Sequence, residues 1–160
     1  MFGRGARNIH PVKYGNHGRE LLIPREPTHW KALAAAEPAF AKRIQAIFDV
    51  RKHKTLATLR ADGSPRISGI EVEFAEGDIW LGMMPDSMKL RDLQRDPRLA
   101  IHAMSDDPPE DRPSAWMGDA KISGRAIQAE RPDRPRPPAS WFRIDIDEVV
   151  LTSVSDPPDY

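Results

Sequence analysis

The chain has 160 residues, with 24 Lys and Arg set against 24 Asp and Glu, a formal net charge of zero. That balance excludes the global basic footprint of a nucleic-acid binder, and the absence of cysteine excludes disulfide scaffolding and thiolate chemistry. No apolar run approaches the roughly 20 residues of a membrane helix, and no signal-peptide core follows Met1, so a cytoplasmic protein is expected.

Residues 1–36 are rich in Gly, Pro and basic side chains and carry no sustained period. They are expected to form a solvated or subunit-wrapping extension, in which His10, His17 and His29 lack metal-site spacing. Regular structure is expected from Glu37 onward. Pro38 suits a first helical turn, and Phe40, Ile44, Ile47 and Phe48 share one face of a helix running to about Val50. The cluster Arg51-Lys52-His53-Lys54 then sits at the helix end that favours cations.

Thr55 to Arg60 reads as a strand, and Ala61-Asp62-Gly63-Ser64-Pro65 turns it back. In the next strand Ile70, Val72 and Phe74 alternate with Gly69, Glu71 and Glu73. Arg66 and Ser68 share the face of Ile70. There they need polar company, from a ligand or from an exposed strand end. Glu76-Gly77-Asp78 closes a second hairpin, and Ile79 to Met84 is apolar throughout, as in a central strand. Gly82 within it marks either a bulge or a place where a flat ring approaches the backbone.

Pro85-Asp86-Ser87-Met88-Lys89-Leu90-Arg91-Asp92-Leu93 opens a short helix that Asp96-Pro97 ends. Asp86 or Ser87 serves as N-cap, which puts Lys89 in the first turn, at the positive end of the dipole. A bound phosphate would turn that unfavourable placement into a favourable one. The other reading is an ordinary amphipathic helix with Leu90 and Leu93 inward. Further strands are expected over Arg98 to Met104, Trp116 to Ala129 with a bend at Gly124, and Trp141 to Val154. About six strands with short hairpins make the chain mainly β with a few helices, an antiparallel barrel. No nucleophile or acid–base dyad stands out, and His102 reads as a satisfied strand histidine.

The run Leu56-Ala57-Thr58-Leu59-Arg60-Ala61-Asp62-Gly63-Ser64-Pro65-Arg66, followed by Ser87-Met88-Lys89-Leu90-Arg91-Asp92-Leu93-Gln94-Arg95-Asp96-Pro97-Arg98, resembles the pyridoxamine 5′-phosphate oxidase-like, FMN-binding split-barrel proteins. The likeness runs from roughly Phe40 to Ala129, and the strand from Trp141 fits as well. It implies a six-stranded antiparallel split β-barrel over 37–155, with 1–36 as an extension and 156–160 as a tail. It also implies a homodimer with cofactor at the subunit interface. The implied cofactor is FMN, or alternatively a deazaflavin coenzyme, and the implied cofactor-binding residues are Arg66, Ser68, Gly82, Met83, Ser87, Lys89 and Arg91. Lys121, on a later strand, is a weaker match.

The activity implied is hydride transfer between the cofactor and a small organic or nicotinamide partner. Glu71 stands where true vitamin oxidases carry a basic residue, and the chain lacks their C-terminal arginine and tryptophan signature. Pyridoxamine phosphate is therefore not the expected substrate. The alternatives are a non-catalytic flavin or deazaflavin carrier or sensor and, ranked last, a haem-binding relative using His102 or His53.

Overall fold

The computed structural model describes residues 9–13, 18–24, 26–134 and 140–154. In chain order the elements are β1 (Ile9–Lys13), β2 (Arg19–Pro24), α1 (Trp30–Ala36), α2 (Pro38–Val50), β3 (His53–Leu59) and β4 (Pro65–Ala75). Then follow β5 (Asp78–Met83), α3 (Met88–Arg95), β6 (Arg98–Met104), β7 (Asp119–Gln128) and β8 (Ser140–Thr152).

The sheet order is β1-β2-β8-β5-β4-β3-β6-β7, and β7 pairs back onto β8. Strands β3 to β8 therefore close a six-stranded antiparallel barrel, and β1 and β2 extend the sheet beyond it. β8 makes the closure possible through its length. One edge pairs with β5 over Ser140 to Arg143 and with β2 over Val149 to Thr152, while the other runs along all of β7.

The hairpins follow local chemistry. Gly63 adopts φ 83° while Asp62 Oδ1 accepts from the Ser64 amide at 2.9 Å. Glu76 and Gly77 lie at φ 52° and 81°, the left-handed pair that suits the strand twist. The expected bend at Gly124 is a register shift against β8 between Ser123 and Gly124. α2 lays Phe40, Ile44, Ile47 and Phe48 on the core of the sheet, all buried, with Phe48 edge-on to Phe74.

Regular structure begins earlier than Glu37. β2 pairs with β8 and buries Leu21 and Leu22, and α1 buries Trp30 and Leu33. β2 buries only Leu21, Leu22 and its terminal Pro24, α1 only Trp30 and Leu33, and Pro27 lies between the two elements, so no period accumulates. Long-range pairing with β8 supplies what local pattern does not. Of His10 only the backbone is described, and His17 and the tail 156–160 lie outside the described residues.

Candidate functional site

β4 pairs with β3 from Pro65 to Glu71 but with β5 only from Val72 to Ala75. The first half of β4 thus lacks a partner on the β5 side among the described residues, and α3 reaches β4 in this stretch. Asp86, at φ 64°, turns the chain into α3. Ser87 is the N-cap, its Oγ accepting from the Leu90 amide at 3.4 Å. Lys89, in the first turn, donates from Nζ to the Gly69 carbonyl of β4 at 2.6 Å.

The second tie between α3 and β4 is Asp92. Its carboxylate is 2 % exposed and accepts from Arg66 Nε at 2.6 Å, Thr58 Oγ1 at 2.8 Å and Arg95 Nη2 at 3.0 Å. Burial pushes this carboxyl up, and the bonds from Arg66, Thr58 and Arg95 more than offset it, leaving it below the ordinary range. The polar company that Arg66 requires on its apolar face is therefore this carboxylate. Asp92 was legible as the residue directly after Arg91, but its inward direction depends on the turn set by Ser87. Arg66 keeps its Nη atoms free of hydrogen bonds among the described residues, and they are not buried. Ser68 lies half-buried on the same strand face.

Arg66 and Lys89 thus tie β4 to α3, Ser87 caps that helix, and Ser68 lies on β4 between Arg66 and Ile70. Arg91 stands at the margin, exposed and 3.8 Å from Asp86. Met83 is fully buried in the core and offers no side-chain surface. Gly82 pairs in register with Trp141, without a bulge, and a Cβ there would lie 2.8 Å from two indole carbons. The flat ring over this glycine is the protein's own Trp141. Arg131, buried at 2 % exposure, stacks on that indole at 4.6 Å and bonds Asp133 at 2.7 Å.

The basic cluster after α2 closes a helix end, as expected. Buried Lys54 donates to the carbonyls of Arg51 and Lys52, and Lys52 lies 3.2 Å from Glu71. Burial lowers the Lys54 ammonium's pKa, and Asp49 and Glu71 oppose that shift.

The outer face of the sheet holds a feature that reading one strand at a time does not show. Gly69, Thr55, His102 and Lys121 stand in register across β4, β3, β6 and β7. Ile67, Ala57, Ala100 and Ser123 form the neighbouring row, and Ile67 is 76 % exposed. His102 lies on this outer face, with Nε2 2.8 Å from Asp119 Oδ2, and Lys121 Nζ is 3.2 Å from Asp119 Oδ1. Burial raises the Asp119 carboxyl's pKa, but His102, Thr152 and Lys121 together hold it below the ordinary range. Among the described residues no group of three or more His, Asp or Glu could hold a metal ion, and no helix is long and apolar enough to cross a membrane.

The family model described as pyridoxamine 5′-phosphate oxidase matches residues 40–153. The chain belongs to the pyridoxamine 5′-phosphate oxidase family. The match covers α2 through β8, which contain every residue gathered at the α3–β4 junction. No curated protein matches the chain.

Solved structures share the fold. A heme-binding protein from Mycobacterium smegmatis aligns at 19% identity with TM-score 0.53, over 67% of this chain and 51% of its own. The chain thus spans about half the length of that protein. The heme storage protein HutZ from Vibrio cholerae aligns at 16% identity and TM-score 0.53, covering 73% and 94%. General Stress Protein 26 from Bacillus anthracis aligns at 16% and 0.54, covering 74% and 94%. At these identities the likeness is one of fold.

Proposed function

We propose that the chain is a flavin-binding oxidoreductase, holding FMN or a deazaflavin coenzyme and passing hydride to or from a small organic or nicotinamide partner. The observation that carries this reading is the junction of α3 and β4, where two cations stand beside a helix start. Arg66 is fixed through Nε by Asp92, leaving its Nη edge free, and Lys89 has only the Gly69 carbonyl as a hydrogen-bond partner among the described residues.

A phosphate monoester matches that donor set. Two cations, the Ser87 and Ser68 hydroxyls and the free amides at the start of α3 are the groups that recognise it. Lys89 and Arg66 would bind its oxygens, and Ser87 would fix the helix start that presents the amides. The outer face beside Gly69 is lowered by Thr55, Ala57 and Ala100, which gives a flat ring room to lie. The bound cofactor supplies the redox chemistry, and the protein supplies position, charge and exclusion of water. Met83 and Gly82 take no direct part in this reading. Glu71, facing Lys52, offers no basic group for a second phosphate, which argues against pyridoxamine phosphate as substrate.

We place a second copy of the chain on the outer face of β4, β3, β6 and β7, with the cofactor between the subunits. The test is the absorption spectrum of the purified protein, with the released cofactor identified by mass and reduction by a nicotinamide followed at the flavin band. Bound flavin that no nicotinamide reduces faster than free flavin makes the protein a carrier or sensor. A haem reading has one observation in its favour, the imidazole of His102 backed by Asp119 at 2.8 Å. A Soret band lost in His102→Ala would establish it in place of the flavin.

A further inference from the structure

We propose that His102, held by Asp119, is the proton-exchanging group of this site, donating to a substrate that the bound cofactor reduces. The inference rests on the flavin or deazaflavin reading above and assigns a residue that the phosphate cluster does not include.

The geometry begins at Lys89, whose Nζ sits on the Gly69 carbonyl at 2.6 Å. Gly69 is paired with Thr55, and Thr55 with His102, so the three share one row of the outer face. Two strand spacings separate Gly69 from His102, about 10 Å. That is within the span of a phosphorylated ribityl chain and its ring system laid across the sheet. Gly69 and Thr55, the two residues between the lysine and the imidazole, are small. No bulky side chain of that row blocks the path.

The imidazole is prepared for proton exchange. Nε2 faces Asp119 Oδ2 at 2.8 Å, and Nδ1 carries no partner among the described residues. Asp119 is only 16 % exposed and is steadied on its other oxygen by Lys121 at 3.2 Å, so Nε2 is held on the carboxylate and Nδ1 is directed away from it. The charged and titratable groups around His102 are Asp119 and Lys121 on β7 and, farther along the face, His53 on β3 and Glu71 on β4. Ala100 and Met104 flank it on its own strand.

The step balances simply. A bound reduced cofactor would supply the hydride to one atom of the substrate's unsaturated bond, and His102, as the imidazolium with Nε2–H on Asp119, would give its Nδ1 proton to the other. The substrate gains two electrons and two hydrogens. The two electrons would come from the cofactor, and the neutral His102 left after transfer would recover its Nδ1 proton from solvent.

Two measurements test this. In the first, the imidazole carbon resonance of His102, assigned by its loss in His102→Gln, is followed by NMR while FMN is titrated into the protein. The resonance should move as FMN saturates, while that of His29, held by Asp78 at 2.7 Å on another part of the barrel, stays in place. Saturation with His102 unmoved overturns the proposal and leaves the cofactor reading standing. Failure of both FMN and a deazaflavin to bind overturns both.

In the second, FMN-loaded, photoreduced protein is mixed with menadione. His102→Gln should lower the turnover rate about a hundredfold with FMN affinity and menadione KM unchanged, and should flatten the dependence of rate on pH. Asp119→Asn should lower the rate less. Equal rates and profiles in parent and His102→Gln overturn the proposal.

Discussion

Arg66 Nε and Asp92 Oδ2 meet at 2.6 Å, tying β4 to α3 through a carboxylate that is 2 % exposed. Removing that carboxylate strands the buried Thr58 hydroxyl and Arg66 Nε, while Arg95 keeps the Leu59 carbonyl at 2.6 Å. Asp92→Ala is expected to cost about 3 kcal/mol, at the low end for a broken buried pair because Arg66 can partly rehydrate. Urea unfolding should show a lower midpoint at unchanged slope. A loss below about 1 kcal/mol would mean that the tie is incidental to the fold.

The same carboxylate sets an acid limit. Asp92 is held below its ordinary value in the folded chain, burial opposing and the three donors prevailing, so its contribution is complete above the unfolded pKa of about 4. It is lost as pH falls through the folded value. Asp96, held down to about 2 by the side-chain and backbone hydrogen bonds of Arg98, titrates at the bottom of this window. Far-UV circular dichroism should therefore show stability falling from about pH 4 downward. Asp92→Asn should flatten that slope, and an unchanged slope would assign acid unfolding to other groups.

Much of the barrel was legible in the residues, because hairpins announce themselves locally. Asp62-Gly63 and Glu76-Gly77 carry their turn chemistry in adjacent positions, and Phe40, Ile44, Ile47 and Phe48 mark α2 by spacing alone. β2 was not legible, since Leu21 and Leu22 gain their burial only by pairing with β8, more than a hundred residues later. The phosphate cluster was visible as residue types, Ser87 and Lys89 above all. The partners of those groups were not. Asp92 reads as one more surface charge until the helix phase is fixed, and Gly82 invites a ligand until Trp141 is paired opposite it. His102 met its carboxylate across β7, a contact that depends on register.

Lys89→Ala separates binding from stability. The ammonium is half-exposed and touches one carbonyl, so its loss should leave the thermal midpoint nearly unchanged. A charge-assisted contact to a phosphate is worth roughly 1.5–3 kcal/mol, so FMN affinity should fall about tenfold to a hundredfold in a fluorescence titration. Arg91→Ala, whose guanidinium is exposed beside Asp86, should change it by less than about threefold. Equal losses at the two positions would move the anion from the α3–β4 cleft to the helix surface.

Gly82→Ala tests whether the indole of Trp141 explains the glycine. The added Cβ would lie 2.8 Å from both Cη2 and Cζ3 of Trp141, closer than side-chain carbons pack. The ring has little freedom to withdraw, because the buried Arg131 guanidinium stacks on it at 4.6 Å and is itself held by Asp133 at 2.7 Å. Overpacking of this kind costs about 1–3 kcal/mol, and the near-UV circular dichroism of the tryptophans should change with it. Trp141→Leu removes the obstructing ring, so adding Gly82→Ala to that background should cost less than half as much as in the parent. Two residues in direct contact must couple in such a cycle. The same cost in both backgrounds would trace the glycine to its backbone and leave the space above it unexplained by Trp141.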